Sequence, residues 1–119
     1  MGQPVVHFEI GCKDKAATSE FYAKAFGWTI DPGPMGTIAT GSSEGIQGHI
    51  ASLGHEPYQF THFYVQVPDV VAALESIEAL GGKGLVPPVK LPIGTFAWFA
   101  DVEGNRVGLW EPVLTANGG

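Results

Sequence analysis

Two short segments of this chain alternate residue by residue between apolar and polar side chains. Phe8 and Ile10 form one row and His7 and Glu9 the other; further on, Phe63, Val65 and Val67 oppose His62, Tyr64 and Gln66. A period of two predicts β-strands with one apolar face. After each segment comes an aspartate, Asp14 or Asp69, and then a stretch with helical spacing. The spacing predicts a helix over 15–26, with Ala17, Phe21 and Ala25 beside Tyr22 and Phe26 on its apolar side. It predicts another over 70–80, with Val70, Ala73, Leu74, Ile77 and Leu80. The aspartates stand where a carboxylate accepts the free amide protons of a first turn, and Gly27 and Gly81-Gly82 supply the stops.

The two halves repeat. The segment 6–14 (VHFEIGCKD) lies over 61–69 (THFYVQVPD) at an offset of 55 residues, and 44–50 (EGIQGHI) lies over 103–109 (EGNRVGL) at an offset of 59. Gly and Pro punctuate 31–36 and 86–94, with short β-like runs following. Each half therefore reads β-α-β-β-β, and the fold class expected is α+β. Two tandem βαβββ modules would form a curled mixed sheet around a pocket, module one over about 4–53 and module two over about 61–112. Residues 54–60 are the expected linker and 113–119 an exposed tail. Strand parity places His7, Glu9, Gln47, His49, His62, Tyr64, Arg106, Gly108 and Trp110 on the face turned from the helices. That face is too polar for an ordinary core. His55 falls in the linker and is set aside.

Composition narrows the function further. One domain fits 119 residues, and the net charge of −6, with six Lys and Arg, argues against nucleic-acid or anionic-membrane partners. No basic leader and no apolar run of spanning length is present, which gives a cytoplasmic expectation. The one cysteine, Cys12, has no internal partner and reads as a small apolar strand residue. Walker, GxGxxG, CxxC, HExxH and nucleophile-elbow motifs are absent, which leaves a small-molecule ligand as the expected partner.

Taken together, certain features look familiar: a histidine on the first strand of each module, Phe21-Tyr22 with Phe26-Gly27-Trp28, Ala79-Leu80-Gly81-Gly82, and 101–110 (DVEGNRVGLW). From Val5 to Pro112 the chain resembles the vicinal-oxygen-chelate superfamily of glyoxalases, bleomycin-resistance proteins and extradiol dioxygenases. The resemblance implies one divalent metal ion (Zn, Fe, Ni, Co or Mn) at positions that map to His7, His49, His62 and Gly108. It also implies a homodimer. Gly108 departs from the pattern, since glyoxalase I-like enzymes carry there a glutamate that is both ligand and base. Conventional glutathione-dependent chemistry is disfavoured on that ground. Two readings follow from the resemblance. One is a metal-dependent lyase, isomerase or dioxygenase with Glu9 as proton carrier and Tyr64, Gln47, Arg106 and Trp110 contacting a small oxygen-bearing ligand. The other is a metal-free binder of the bleomycin-resistance kind.

Overall fold

The computed structural model describes residues 2–113. Eight strands and two helices follow in the order β1 (Val5–Gly11), α1 (Lys15–Phe26), β2 (Thr29–Ile30), β3 (Thr37–Ala39), β4 (Gln47–Ala51), β5 (Phe60–Gln66), α2 (Val70–Ala79), β6 (Lys83–Leu91), β7 (Gly94–Ala100) and β8 (Arg106–Pro112). This is the α+β pattern of two βαβββ runs that the repeat predicts. The chain divides into two compact units: residues 6–63, and residue 64 onward together with the residues up to 5.

In the first unit the strand order is β2-β3-β4-β1, with β1 and β4 parallel and the other pairs antiparallel. A parallel neighbour needs a long return path, and α1 lies in that path. Asp14 caps the helix by accepting from the Ala17 amide at 2.9 Å, and Gly27 closes it in the left-handed conformation, φ 73°. Ile10, Cys12, Ile38 and Ile50 form the buried core, and Phe8, Tyr22, Trp28 and Ile30 pack around it.

The α1 apolar side differs from the expectation. No α1 residue is buried, and Phe21 and Phe26 are each 62% exposed. Only Tyr22 turns into the cluster, stacking on Trp28 with centroids 5.5 Å apart. The helical spacing offered two adjacent stripes, and one sheet face accepts one of them.

The second unit repeats the plan with strand order β5-β8-β7-β6, β5 and β8 being parallel. Asp69 caps α2 through the Ala72 amide at 3.1 Å. Val67, Val70, Ala97 and Leu109 are buried beneath α2, with Val65, Ala73, Leu74, Ile77 and Phe99 packed on them. Two expected core residues lie outside this set: Phe63 is exposed, and Leu80, which follows the last helical turn as its cap, is 80% exposed. The Gly-Pro stretch over 86–94 is for the most part strand rather than loop. Pro87 and Pro88 sit within β6 at the sheet edge, where the ladder shifts register between Val86 and Val89 and their missing amide protons cost nothing. Pro112, where the expected second module ends, pairs with Gly94, and Val113, the first residue of the expected tail, donates to the Ile93 carbonyl. The remaining tail residues, 114–119, lie outside the described residues. Among the described residues, no helix is long and apolar enough to cross a membrane.

Candidate functional site

The parallel register of β1 and β4 sets His7 beside Gln47 and Glu9 beside His49. Residues two apart on a strand share a face, so the His49 ring reaches both members of the His7/Glu9 row. His7 Nε2 and His49 Nδ1 are 2.7 Å apart. On the far edge of the same ring, His49 Nε2 lies 3.3 Å from Glu9 Oε2. The second carboxylate oxygen, Oε1, meets His62 Nε2 at 2.8 Å. Three histidines and one carboxylate predicted from strand parity are thus brought into one file, all within the first unit.

Burial makes the file costly unless it is well partnered. Glu9 is 3% exposed and His62 6%, whereas the His49 side chain retains 27%. The Phe60 ring tilts beside His62, with centroids 5.2 Å apart. His7 is shifted down from the ordinary 6.5 to about 4, chiefly because burial disfavours its charged form and then because His49 lies beside it; Glu9 opposes the shift. His7 is therefore a neutral imidazole at pH 7.

A pH prediction follows from that shift. The unfolded chain takes up a proton at His7 near 6.5, while the folded chain resists until about 4. The stabilisation is therefore complete above pH 6.5 and is lost as pH falls from 6.5 toward 4. Thermal melts between pH 7.5 and 4.5 should show this loss, and His7→Gln should flatten the profile over that window. An unchanged profile in the variant would remove His7 as its source.

In the second unit the face turned from α2 is aromatic. The Trp98 Nε1–H donates to Tyr64 Oη at 2.9 Å, and the Arg106 guanidinium lies over the Trp98 ring, 5.5 Å from its centroid. Tyr64 pairs with Gly108 across β5 and β8 and lays its ring on that glycine; a Cβ at position 108 would meet Tyr64 Cδ2 at 2.4 Å. The space a side chain would need at position 108 is filled by Tyr64. Trp110 lies against the backbone of Gly94. Gln47 is turned to its neighbours in the first unit, accepting from the Thr40 amide at 2.6 Å and donating to Thr40 Oγ1 at 3.1 Å. Glu111 accepts from the Val70 amide at 2.9 Å, so its carboxylate serves the first turn of α2.

Trp98 is the aromatic whose place in this face the sequence did not reveal. Its row follows from the β7/β8 register, Trp98 opposite Gly108, and the Gly-Pro run before β7 hides where that strand begins.

The donor types match a divalent-metal site, but their arrangement does not. An ion needs lone pairs that converge on one point. His49 is instead spent at both ends, Nδ1 toward His7 and Nε2 toward Glu9, so the donors form a file rather than a shell. Among the described residues, no group of three or more His, Cys, Asp or Glu side chains is disposed to hold a metal ion. As held in this structure, the residues do not fit a chelated ion.

The chain belongs to the Glyoxalase/Bleomycin resistance protein/Dioxygenase superfamily, whose model matches residues 5–109. It is 31% identical to the anthracycline biosynthesis protein DnrV of Streptomyces peucetius over 87% of its own length, but covers only 45% of that protein. The chain thus spans about half the length of that curated relative. A glyoxylase-like domain-containing protein of Didymella fabae is 30% identical, with 82% of this chain and 84% of that protein covered. In fold the chain is similar to methylmalonyl-CoA epimerase of Streptomyces coelicolor, solved with 2-nitronate-propionyl-CoA, at a TM-score of 0.64 and 17% identity over 96% of this chain and 100% of that one.

Proposed function

We propose that this chain binds a small oxygen-bearing molecule and moves a proton on it, with Glu9 as the proton acceptor. The observation that supports this reading is a carboxylate 3% exposed and held between two imidazoles, at 2.8 Å from His62 and 3.3 Å from His49. Taking a carboxylate out of water costs several kcal/mol, and apolar residues of similar volume would pack at less expense. A group kept in place against that cost is a candidate for chemistry. In the second unit taken by itself, Tyr64, Arg106 and Trp110 offer aromatic surface with one cation for an anionic substituent. Gln47, tied to Thr40, serves the β3–β4 connection first.

Deuterium uptake tests the reading. In D2O, with pyruvate, 2-oxobutyrate and dihydroxyacetone as carbon-acid probes, the wild-type protein should wash deuterium into the carbon next to the carbonyl. Glu9→Gln should slow that exchange by ~100-fold or more, the usual contribution of a positioned general base. Exchange at the wild-type rate in the variant would remove Glu9 from the reaction. A second reading, a binder without catalysis, is favoured by the Tyr64 ring in the place of the family's glutamate. Probe binding by wild type without any exchange would select it.

A further inference from the structure

Thr37, His49 and Glu9 form one row across three strands of the first unit, and Thr37 stands apart from the histidine contacts. It lies directly opposite His49 in the antiparallel ladder of β3 and β4, as Glu9 lies beside His49 in the parallel ladder of β1 and β4. Residues paired in this way share a face of the sheet. Ile38, the next residue of β3, is fully buried in the core beneath α1, so Thr37 belongs to the face turned from the helix. Its neighbours on that face are engaged with one another. His49 meets His7 and Glu9, Glu9 meets His62, and Gln47 is tied to Thr40. Thr37 is exposed, and its hydroxyl has no hydrogen-bond partner among the described residues.

The backbone around this hydroxyl is fixed from both sides. The Thr37 carbonyl accepts from the Asp31 amide and the Gly36 carbonyl from the Ile50 amide, each at 2.9 Å. Gly36 is buried in the left-handed conformation, φ 61°, with the Ile50 carbonyl and the Lys15 side chain where a Cβ would stand. From the first turn of α1, Lys15 Nζ donates to the carbonyls of Gly33 at 2.9 Å and Pro34 at 3.2 Å. The loop over 31–36 is thereby fastened to the helix and to β4, and it delivers Thr37 to one place in the ladder. A contact group gains from being held in this way before its ligand arrives.

We infer that Thr37 is a ligand-contact residue of the first unit, its hydroxyl donating to a carbonyl oxygen of the bound molecule. The inference rests on the binding half of the proposed function, a small oxygen-bearing ligand, and on the fate of no proton. The other polar groups of the face already have partners, so the exposed hydroxyl is the group that an arriving carbonyl can engage without breaking a contact. Strands in a sheet lie ~4.8 Å apart, which sets Thr37 one strand from His49 and ~10 Å, two strands, from Glu9 at the backbone. A short ligand anchored at Thr37 would therefore lie over His49, whose side chain retains 27% exposure.

Pyruvate, 2-oxobutyrate and dihydroxyacetone, each with a carbonyl oxygen, serve again as probes. In protein labelled at its threonine methyls, the Thr37 signal should move as the probe that binds best is titrated in. Thr37→Val keeps the β-branched shape and loses the hydroxyl; it should raise the Kd of that probe roughly 3- to 10-fold, the contribution of one hydrogen bond. The Tm should not move, because the residue is exposed. Thr37→Ser keeps the hydroxyl and should recover most of the affinity. A wild-type Kd in Thr37→Val, or a Thr37→Ser variant as weak as Thr37→Val, overturns the contact and leaves ligand binding and the Glu9→Gln exchange result as they stand. A wild-type protein that binds none of the three probes overturns the reading of a carbonyl ligand, and the contact with it.

Discussion

Glutamate placed at position 108 should destabilise this protein sharply rather than restore a family-like site. The Cβ alone would come within 2.4 Å of the Tyr64 ring, and that ring is tied by its hydroxyl to Trp98. Overpacking of this kind typically costs about 1–3 kcal/mol. A carboxylate beside a buried aromatic pair adds a desolvation cost. For a domain of this size the combined loss amounts to a fall in Tm on the order of 10 °C. Pairing Gly108→Glu with Tyr64→Ala should recover part of that loss, because the second change vacates the space the first requires. Thermal melts of the two single variants and the double decide the matter. Additive losses would mean that Tyr64 and Gly108 do not compete for one volume.

His62→Phe should be more damaging than Glu9→Leu, although each removes one partner of the same 2.8 Å contact. Glu9→Leu withdraws the Glu9 acceptor from the buried His62 imidazole, a loss of about 1–3 kcal/mol. His62→Phe instead leaves a buried carboxylate with its closer imidazole gone, and breaking such a pair from that side costs about 3–5 kcal/mol. The double variant, Glu9→Leu with His62→Phe, should be more stable than His62→Phe alone, since no charge is left buried and the new ring packs beside Phe60. Chemical denaturation of the set measures the coupling. If the double variant is less stable than either single one, the charge at Glu9 does not dominate the energetics of this file.

Much of the architecture was legible because it rests on local rules. Alternation marked β1 and β5, Asp14 and Asp69 marked the helix starts, and the internal repeat supplied the βαβββ order twice. Strand parity also placed His7, Glu9, His49 and His62 on one face, since side-chain direction along a strand has a strict period of two. The failures lie where a local pattern admitted two outcomes. The α1 spacing offered two apolar stripes and the core took Tyr22. Pro87 and Pro88 looked like loop signals, yet an edge strand with shifted register accommodates both. Glu111 and Trp98 gave no sign of their partners, which come from other elements.

What the sequence by itself determined is therefore the class of fold, the family and the membership of the polar row, all of which depend on short-range periodicity and on motifs. Only the tertiary structure decided how that row is wired. The parallel register of β1 and β4 sets the His49 ring between His7 and Glu9, so its two nitrogens are used in opposite directions and a file forms where donor identity alone suggested a shell. Likewise, a glycine at position 108 read from sequence is a missing carboxylate, and read in place it is the room that Tyr64 occupies. Both facts depend on contacts between residues 40 or more positions apart, which no local pattern encodes.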